Sequence, residues 1–420
     1  MIIPAAPLLV LCSALIFGIG ISVGWPNYIA LSLFYIVIIF GVAVLIIQSI
    51  LSKAVSVGVG YIASLTMCNH VGILLGFSIG LGPDYMLWPD DTIDHHLPNA
   101  IAFSEWLSGI GTLEIFTDNP FAKVYISNMW VGIFFYVFGT YPVVSGFAML
   151  LIKLIAVALI YYAAFNFLKD KSVASIAAII YGLLPTLTFY TLQFYKDFFI
   201  HFLVALVLFI ISKSIKRQKY AIFLVLPLGA MFVERFYLLV MICVTLVLYY
   251  WSQSGKVGLK ISIFVLGGGA SLAVLDYYFA GQGIIELIIT IQEFEAAQNE
   301  SIDATPTTYI ALDLFRSAFT PFFNFYKLNS YSHLDSILIF GGFIHQLTMI
   351  FYFKGLWVAR KDRVIILNYA FLFLIVILAL IMPYAGRARD SLYPLVSLFA
   401  AIGISSVWGR KRIIDRLPSA

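Results

Sequence analysis

Residues 143–168 read VVSGFAMLLIKLIAVALIYYAAFNFL, with Lys153 as the sole charge. A helix over this run is long enough to cross the roughly 30 Å hydrocarbon core of a bilayer. Comparable apolar stretches recur along the chain. Backbone groups cannot stay unpaired in lipid and these runs are far too long for barrel strands, so the class is an all-α polytopic membrane protein. Composition agrees: 62% of the 420 residues are hydrophobic and 11% are charged, with mean hydropathy +0.99. Cys12, Cys68 and Cys243 lie in or beside apolar runs at scattered spacing. They suggest neither a disulfide framework nor a metal knuckle.

Working outward, the expected spans are 2–22, 28–51, 60–82, 143–168, 173–191, 197–212, 220–233, 236–251, 259–280, 336–353, 364–385 and 391–408. That makes a bundle of about 12 transmembrane helices (11–13) in one integral membrane domain, 1–420. The first segment lacks a basic n-region and a cleavage site and reads as a retained helix. With the N-terminus in the cytoplasm, 17 of the 25 basic residues fall on the cytoplasmic side, among them Lys213, Lys216, Arg217 and Lys219. Only Asp170, Asp362 and Asp415 join them there; the other 18 acids lie toward the opposite face. Positive charge marks the cytoplasmic side, so both termini are expected there; the lack of a eukaryotic signature and the compact size point to a bacterial inner or plasma membrane. Residues 124–142 are apolar enough to span, yet a crossing would invert everything downstream. Their Trp and Tyr content suits an interfacial or re-entrant helix instead.

This topology turns residues 89–98, PDDTIDHHLP, outward at the head of the long loop 83–142. Asp90, Asp91 and Asp94 with His95 and His96 form a dense titratable cluster for so apolar a chain. They could serve as a general base or hold a hard divalent cation such as Mg or Mn through Asp90 and Asp91. A solvated acidic loop without chemistry is the plainer reading. Three further outward turns set a cation beside an acid: Lys196 with Asp197, Glu234 with Arg235, and Arg387 and Arg389 with Asp390. Singly each reads as an ion pair. Together with the acidic loop they describe carboxylates beside phosphate-binding cations. Asn69, His70 and Lys153 lie at membrane depth, where polar groups face other helices. For Lys153 a lipid phosphate, an internal carboxylate and snorkelling all remain open. Residues 281–335 form the second long outer loop, a lid or acceptor platform in this reading, with aromatic residues in 319–326.

Four of these segments carry a resemblance. PDDTIDHHLPNAIAFSEWLSGI (89–110) resembles the first-loop signature of GT-C superfamily membrane glycosyltransferases, of the protein O-mannosyltransferase and aminoarabinose transferase kind. NPFAKVYISNMWVGIFFYVFG (119–139) is similar to the amphipathic stretch that follows that loop. IIYGLLPTLTFYTLQFYKDFFIHFLVALVLF (179–209) resembles the family's helix–turn–helix with a mid-helix proline. GRARDSLYPLVSLFAAIGI (386–404) resembles its Arg-rich turn and the helix after it. These cover under half the chain.

The resemblance implies a GT-C-like bundle with interfacial helices in its first outer loop and an extracytoplasmic active site. It implies transfer of a sugar from a polyprenyl-phosphate or polyprenyl-diphosphate carrier to a lipid, glycan or protein acceptor. Asp91 would be the catalytic base, with Asp90 beside it; Arg387 and Arg389 would bind the donor phosphate, helped by Lys196 and Arg235. His96, Asp94, Asp197 and Glu234 would support them. No cofactor is required, a divalent metal is an option, and the partners are lipids and glycans rather than nucleic acid. Two helices more than the common pattern precede the loop, which admits a polymerase of lipid-linked oligosaccharide repeats. A lipid-linked glycan flippase or transporter is the alternative of another class; it needs polar groups through mid-membrane and broken helices.

Overall fold

The computed structural model describes residues 19, 55–81, 96–110, 125–194, 197–215, 217–253, 314–315, 318–319, 333–360, 363–369, 371–372, 374–376 and 390–407. Among these the chain is helical, with no strand. The α-helices, in chain order, are α1 (Val55–Leu81), α2 (Leu97–Leu107), α3 (Ile126–Phe138), α4 (Pro142–Leu168), α5 (Lys171–Leu183) and α6 (Pro185–Leu192). They continue with α7 (Asp197–Ser214), α8 (Val225–Glu234), α9 (Phe236–Gln253), α10 (His333–Ala359) and α11 (Tyr393–Val407). Two 3-10 helices, Gln218–Leu224 and Arg363–Asn368, join them. Val144–Leu168 and Asp197–Ser214 are long and apolar enough to cross a membrane, and the bent pair α5–α6 adds a third if it is one span. Apart from Ile19, the expected spans 2–22, 28–51 and 259–280 lie outside the described residues, as does 281–313 of the second long loop.

Proline sets where several helices begin. Pro98, Pro142, Pro185, Pro227 and Pro394 all sit in the first three residues of α2, α4, α6, α8 and α11. There the missing N–H belongs to a group with no intrahelical acceptor and the fixed φ suits the helix. The same chemistry divides two expected spans. In 173–191, Pro185 cannot bond back to Tyr181, and the chain breaks at Leu184 (φ −58°, ψ 122°) into α5 and α6, bent by 49°. In 220–233, Pro227 interrupts a continuous α-ladder, and Gln218–Leu224 winds as a 3-10 helix before α8. The remaining α8 has 10 residues and is about 15 Å long.

α5 and α11 form the centre. Eleven of the 13 residues of α5 and 12 of the 15 in α11 are buried, on all sides of each helix, as a core position requires. α5 packs on α1, α4 and α11, while α7 packs along α4. α10 lies against α11 at very short range. A Cβ added at Gly355 would strike the Phe399 carbonyl, and one at Gly403 the Phe351 carbonyl. This reciprocal glycine contact lets two backbones touch, the arrangement favoured where packing rather than hydrophobic exclusion drives helix association.

α2 and α3 pack on each other at one end of this core. With 13 residues α3 is about 20 Å long, too short to cross the ~30 Å hydrocarbon layer. It rests on the first turns of α4, where Trp130 Nε1 donates to the Ala148 carbonyl (2.9 Å) and Phe134 meets Phe147 edge-on. Ile133, Tyr136, Val137 and Phe138 are exposed along its far side.

Candidate functional site

The end of the bundle next to α2 and α3 gathers polar groups from four separate parts of the chain. Asp197 opens α7 and is buried (3% exposed), with its carboxylate at the positive end of the helix dipole. It forms an ion pair with Arg235, which sits in the break between α8 and α9. This bond runs between two turns and ties α7 to the end of α8. Glu234, also 3% exposed, reaches a different element. Its carboxylate accepts the Ser127 backbone N–H (2.7 Å) and hydroxyl (3.1 Å). Those donors lie in the first turn of α3, where backbone N–H groups lack acceptors within the helix. Glu234 thereby caps α3 from outside and fixes α3 to the end of α8.

His96 marks where the acidic stretch 89–98 joins the described structure. It is buried, with its ring 5.7 Å from Tyr125 and 5.9 Å from Phe194. Phe194 lies three residues before Asp197 and takes a left-handed conformation (φ 55°), uncommon for a bulky residue. The fully buried Phe194 ring thus links the acidic stretch to the turn before α7. Asp390 comes in from the fourth direction. It is buried, and its backbone carbonyl lies beside the His201 ring, one helical turn inward from Asp197.

Below this end lies a second polar layer. Lys153, fully buried, donates to the Thr188 hydroxyl (2.8 Å), and Asn69 Nδ2 donates to the same oxygen (3.1 Å). Thr188 in turn donates to the Leu184 carbonyl (3.2 Å), one turn back, which also accepts the Thr188 backbone N–H. His70 sits beside the Gly146 carbonyl and near Lys153. His201 lies among Asp197, Arg235 and Lys153, with the Tyr181 ring 5.8 Å away. Among the described residues neither ring nitrogen of His70 or of His201 completes a hydrogen bond, nor does the Tyr181 hydroxyl. The buried ammonium neither snorkels nor forms an ion pair among the described residues; its described partner is a neutral hydroxyl.

Of the residues expected to act, His96, Asp197, Glu234 and Arg235 are described and stand together at this end. Asp90, Asp91, Asp94, His95, Lys196, Arg387 and Arg389 lie outside the described residues. Sequence reasoning missed His201, Ser127 and Thr188. His201 was findable, since it stands four residues after Asp197 on the same helix face. Ser127 and Thr188 gave no signal, because each acts through a partner more than 30 positions away. No group of three or more His, Cys, Asp and Glu residues that could hold a metal occurs among the described residues.

No protein-family model matches the chain, no curated protein matches it in sequence, and no solved structure matches it in fold.

Proposed function

We propose that the chain is a membrane glycosyltransferase of about 12 transmembrane helices, with a GT-C-like architecture and its active site at the extracytoplasmic face. It moves a sugar from a polyprenyl-phosphate or polyprenyl-diphosphate donor to a lipid, glycan or protein acceptor. One observation carries the reading. His96, near the end of the stretch 89–98, packs on Phe194, at the end of the bundle that also holds Asp197, Arg235, Glu234 and Asp390. The described end of the carboxylate-rich stretch thus lies near Asp197 and Arg235, which supports a site for transfer from a phosphate-linked sugar.

In this mechanism Asp91 deprotonates the acceptor hydroxyl as it attacks the anomeric carbon, with Asp90 holding the acceptor. Arg387 and Arg389 stabilise the phosphate as it leaves. Arg235 already shares its charge with Asp197, so it supports this end of the site and contributes only secondarily to the phosphate. A divalent metal, if used, would sit on Asp90 and Asp91 and neutralise leaving-group charge. The test is a donor titration with product analysis. Arg387→Ala weakens donor binding more than acceptor binding, and Asp91→Asn binds donor without transferring sugar. Equal donor affinity in Arg387→Ala would remove the phosphate role.

A second reading, a flippase or transporter for lipid-linked glycans, is favoured by the inner polar layer. Lys153, Thr188, Asn69, His70 and His201 converge from four helices, and α5–α6 is bent, both of which transport through mid-membrane employs. Reconstituted protein that moves a fluorescent polyprenyl-phosphate sugar between leaflets, while transferring no sugar, would decide for this reading.

A further inference from the structure

At the opposite end of α7 the helical layer is incomplete. A full-length helix over 220–233 would cover α7 there, but Gln218–Leu224 winds as a 3-10 helix and α8 begins only at Val225. The gap leaves a groove of about 400 Å³, walled by Leu206, Phe209 and Ile210 of α7 on one side and by Tyr220, Phe223 and Leu226 on the other. That volume is in the ~300–1,000 Å³ range of sites that hold a ligand. The outer wall is open: Phe223 is 51% and Leu226 71% exposed, and neighbouring Ile222 and Val225 are exposed as well.

One end of the groove is basic. Lys213 lines it from the last turn of α7, its ammonium 5.4 Å from the Phe209 ring centroid. Arg217 and Lys219 are exposed where the 3-10 helix starts, and the run KSIKRQK (213–219) contains no acid. The groove lies toward the end marked by the Asn166–Ser212 hydrogen bond, its α7 lining about 14–24 Å along the helix from Asp197 and so away from the candidate active site. An apolar trough with an exposed wall, ending in several cations, matches one chemistry, a chain-bearing anion.

We propose that this groove holds an anionic phospholipid of the leaflet facing the basic loops. One acyl chain lies between α7 and α8, and the phosphate rests on Lys213 with Arg217 and Lys219 at the rim. Basic pockets between helices on the cytoplasmic side bind such headgroups, each cation adding enough attraction for about a fivefold gain in affinity. The inference rests on membrane insertion and not on the glycosyltransferase reading.

The experiment is native mass spectrometry of the purified full-length chain in detergent, with phosphatidylglycerol or phosphatidylcholine added. Wild type retains phosphatidylglycerol at least tenfold better than phosphatidylcholine. Lys213→Gln with Arg217→Gln and Lys219→Gln loses that preference. Leu226→Trp, at an exposed position that leaves the packing alone, plugs the trough and reduces retention of both lipids with the charges intact. Size-exclusion profiles establish that each variant is folded. Equal retention of the two lipids by wild type, an undiminished preference in the triple variant, or unchanged retention in Leu226→Trp would each overturn the proposal.

Discussion

Lys153 shows how much a single side chain can demand of its surroundings. Burying an ammonium costs several kcal/mol even after the protein relaxes. The described structure answers with the Thr188 hydroxyl, which Asn69 also reaches. A hydrogen bond to a charged group is worth about 1.5–3 kcal/mol, so Thr188→Val is expected to lower stability by about that amount. In a Lys153→Met background the same substitution is expected to cost under about 1 kcal/mol, since the charge that needed the hydroxyl is gone. Unfolding titrations of the four variants in detergent check this; additive losses would place Lys153's main partner elsewhere. The ion pair gives a parallel expectation. Arg235→Gln leaves Asp197 buried beside an uncharged partner and costs about 3–5 kcal/mol, and adding Asp197→Asn recovers most of it. Lys153 was plain in the sequence as a lone charge in an apolar run. Its partner was not, because Thr188 lies on another helix, 35 positions away.

At the scale of elements, the apolar runs show where helices lie but not how they end or meet. The segment 220–233, YAIFLVLPLGAMFV, is apolar throughout. Only Pro227 hints that an α-ladder cannot run through it, and hydropathy alone passes over that hint. Residues 124–142 read as interfacial on topological grounds, and α3 at 13 residues has the length of a helix that does not cross. The α10–α11 contact rests on Gly355 and Gly403, invisible until both helices are placed. Gly403→Leu forces the Phe351 backbone away and is expected to cost 1–3 kcal/mol or more, read as loss of folded protein in thermal melts. Gly229, in α8, has nothing near where its Cβ would be. Gly229→Ala is expected to stabilise by about 0.5–1 kcal/mol through helix propensity. Equal effects at the two positions would mean that α10 and α11 do not touch backbone to backbone.

For the whole molecule, charge asymmetry and hydropathy made the all-α membrane class legible. The four segments likened to GT-C enzymes gave an expectation for the site. What they could not give was the meeting of distant turns. Asp197 with Arg235, Glu234 with Ser127 and His96 with Phe194 are contacts across the chain, and no local pattern encodes them. The structure also draws Asn69, His70 and Lys153, which the sequence showed as scattered polar positions, into one buried layer with Thr188 and His201 nearby. That layer keeps transport as the competing account. The two accounts separate on one observable, the fate of the glycosidic bond. Purified protein in lipid is therefore incubated with a panel of radiolabelled polyprenyl-linked sugars and candidate acceptors, with and without EDTA, wild type beside Asp91→Asn. Sugar released or transferred by wild type and abolished in a folded Asp91→Asn variant is the predicted result. Binding of a donor with its glycosidic bond intact across the panel, in the presence of every acceptor class, would contradict the glycosyltransferase account.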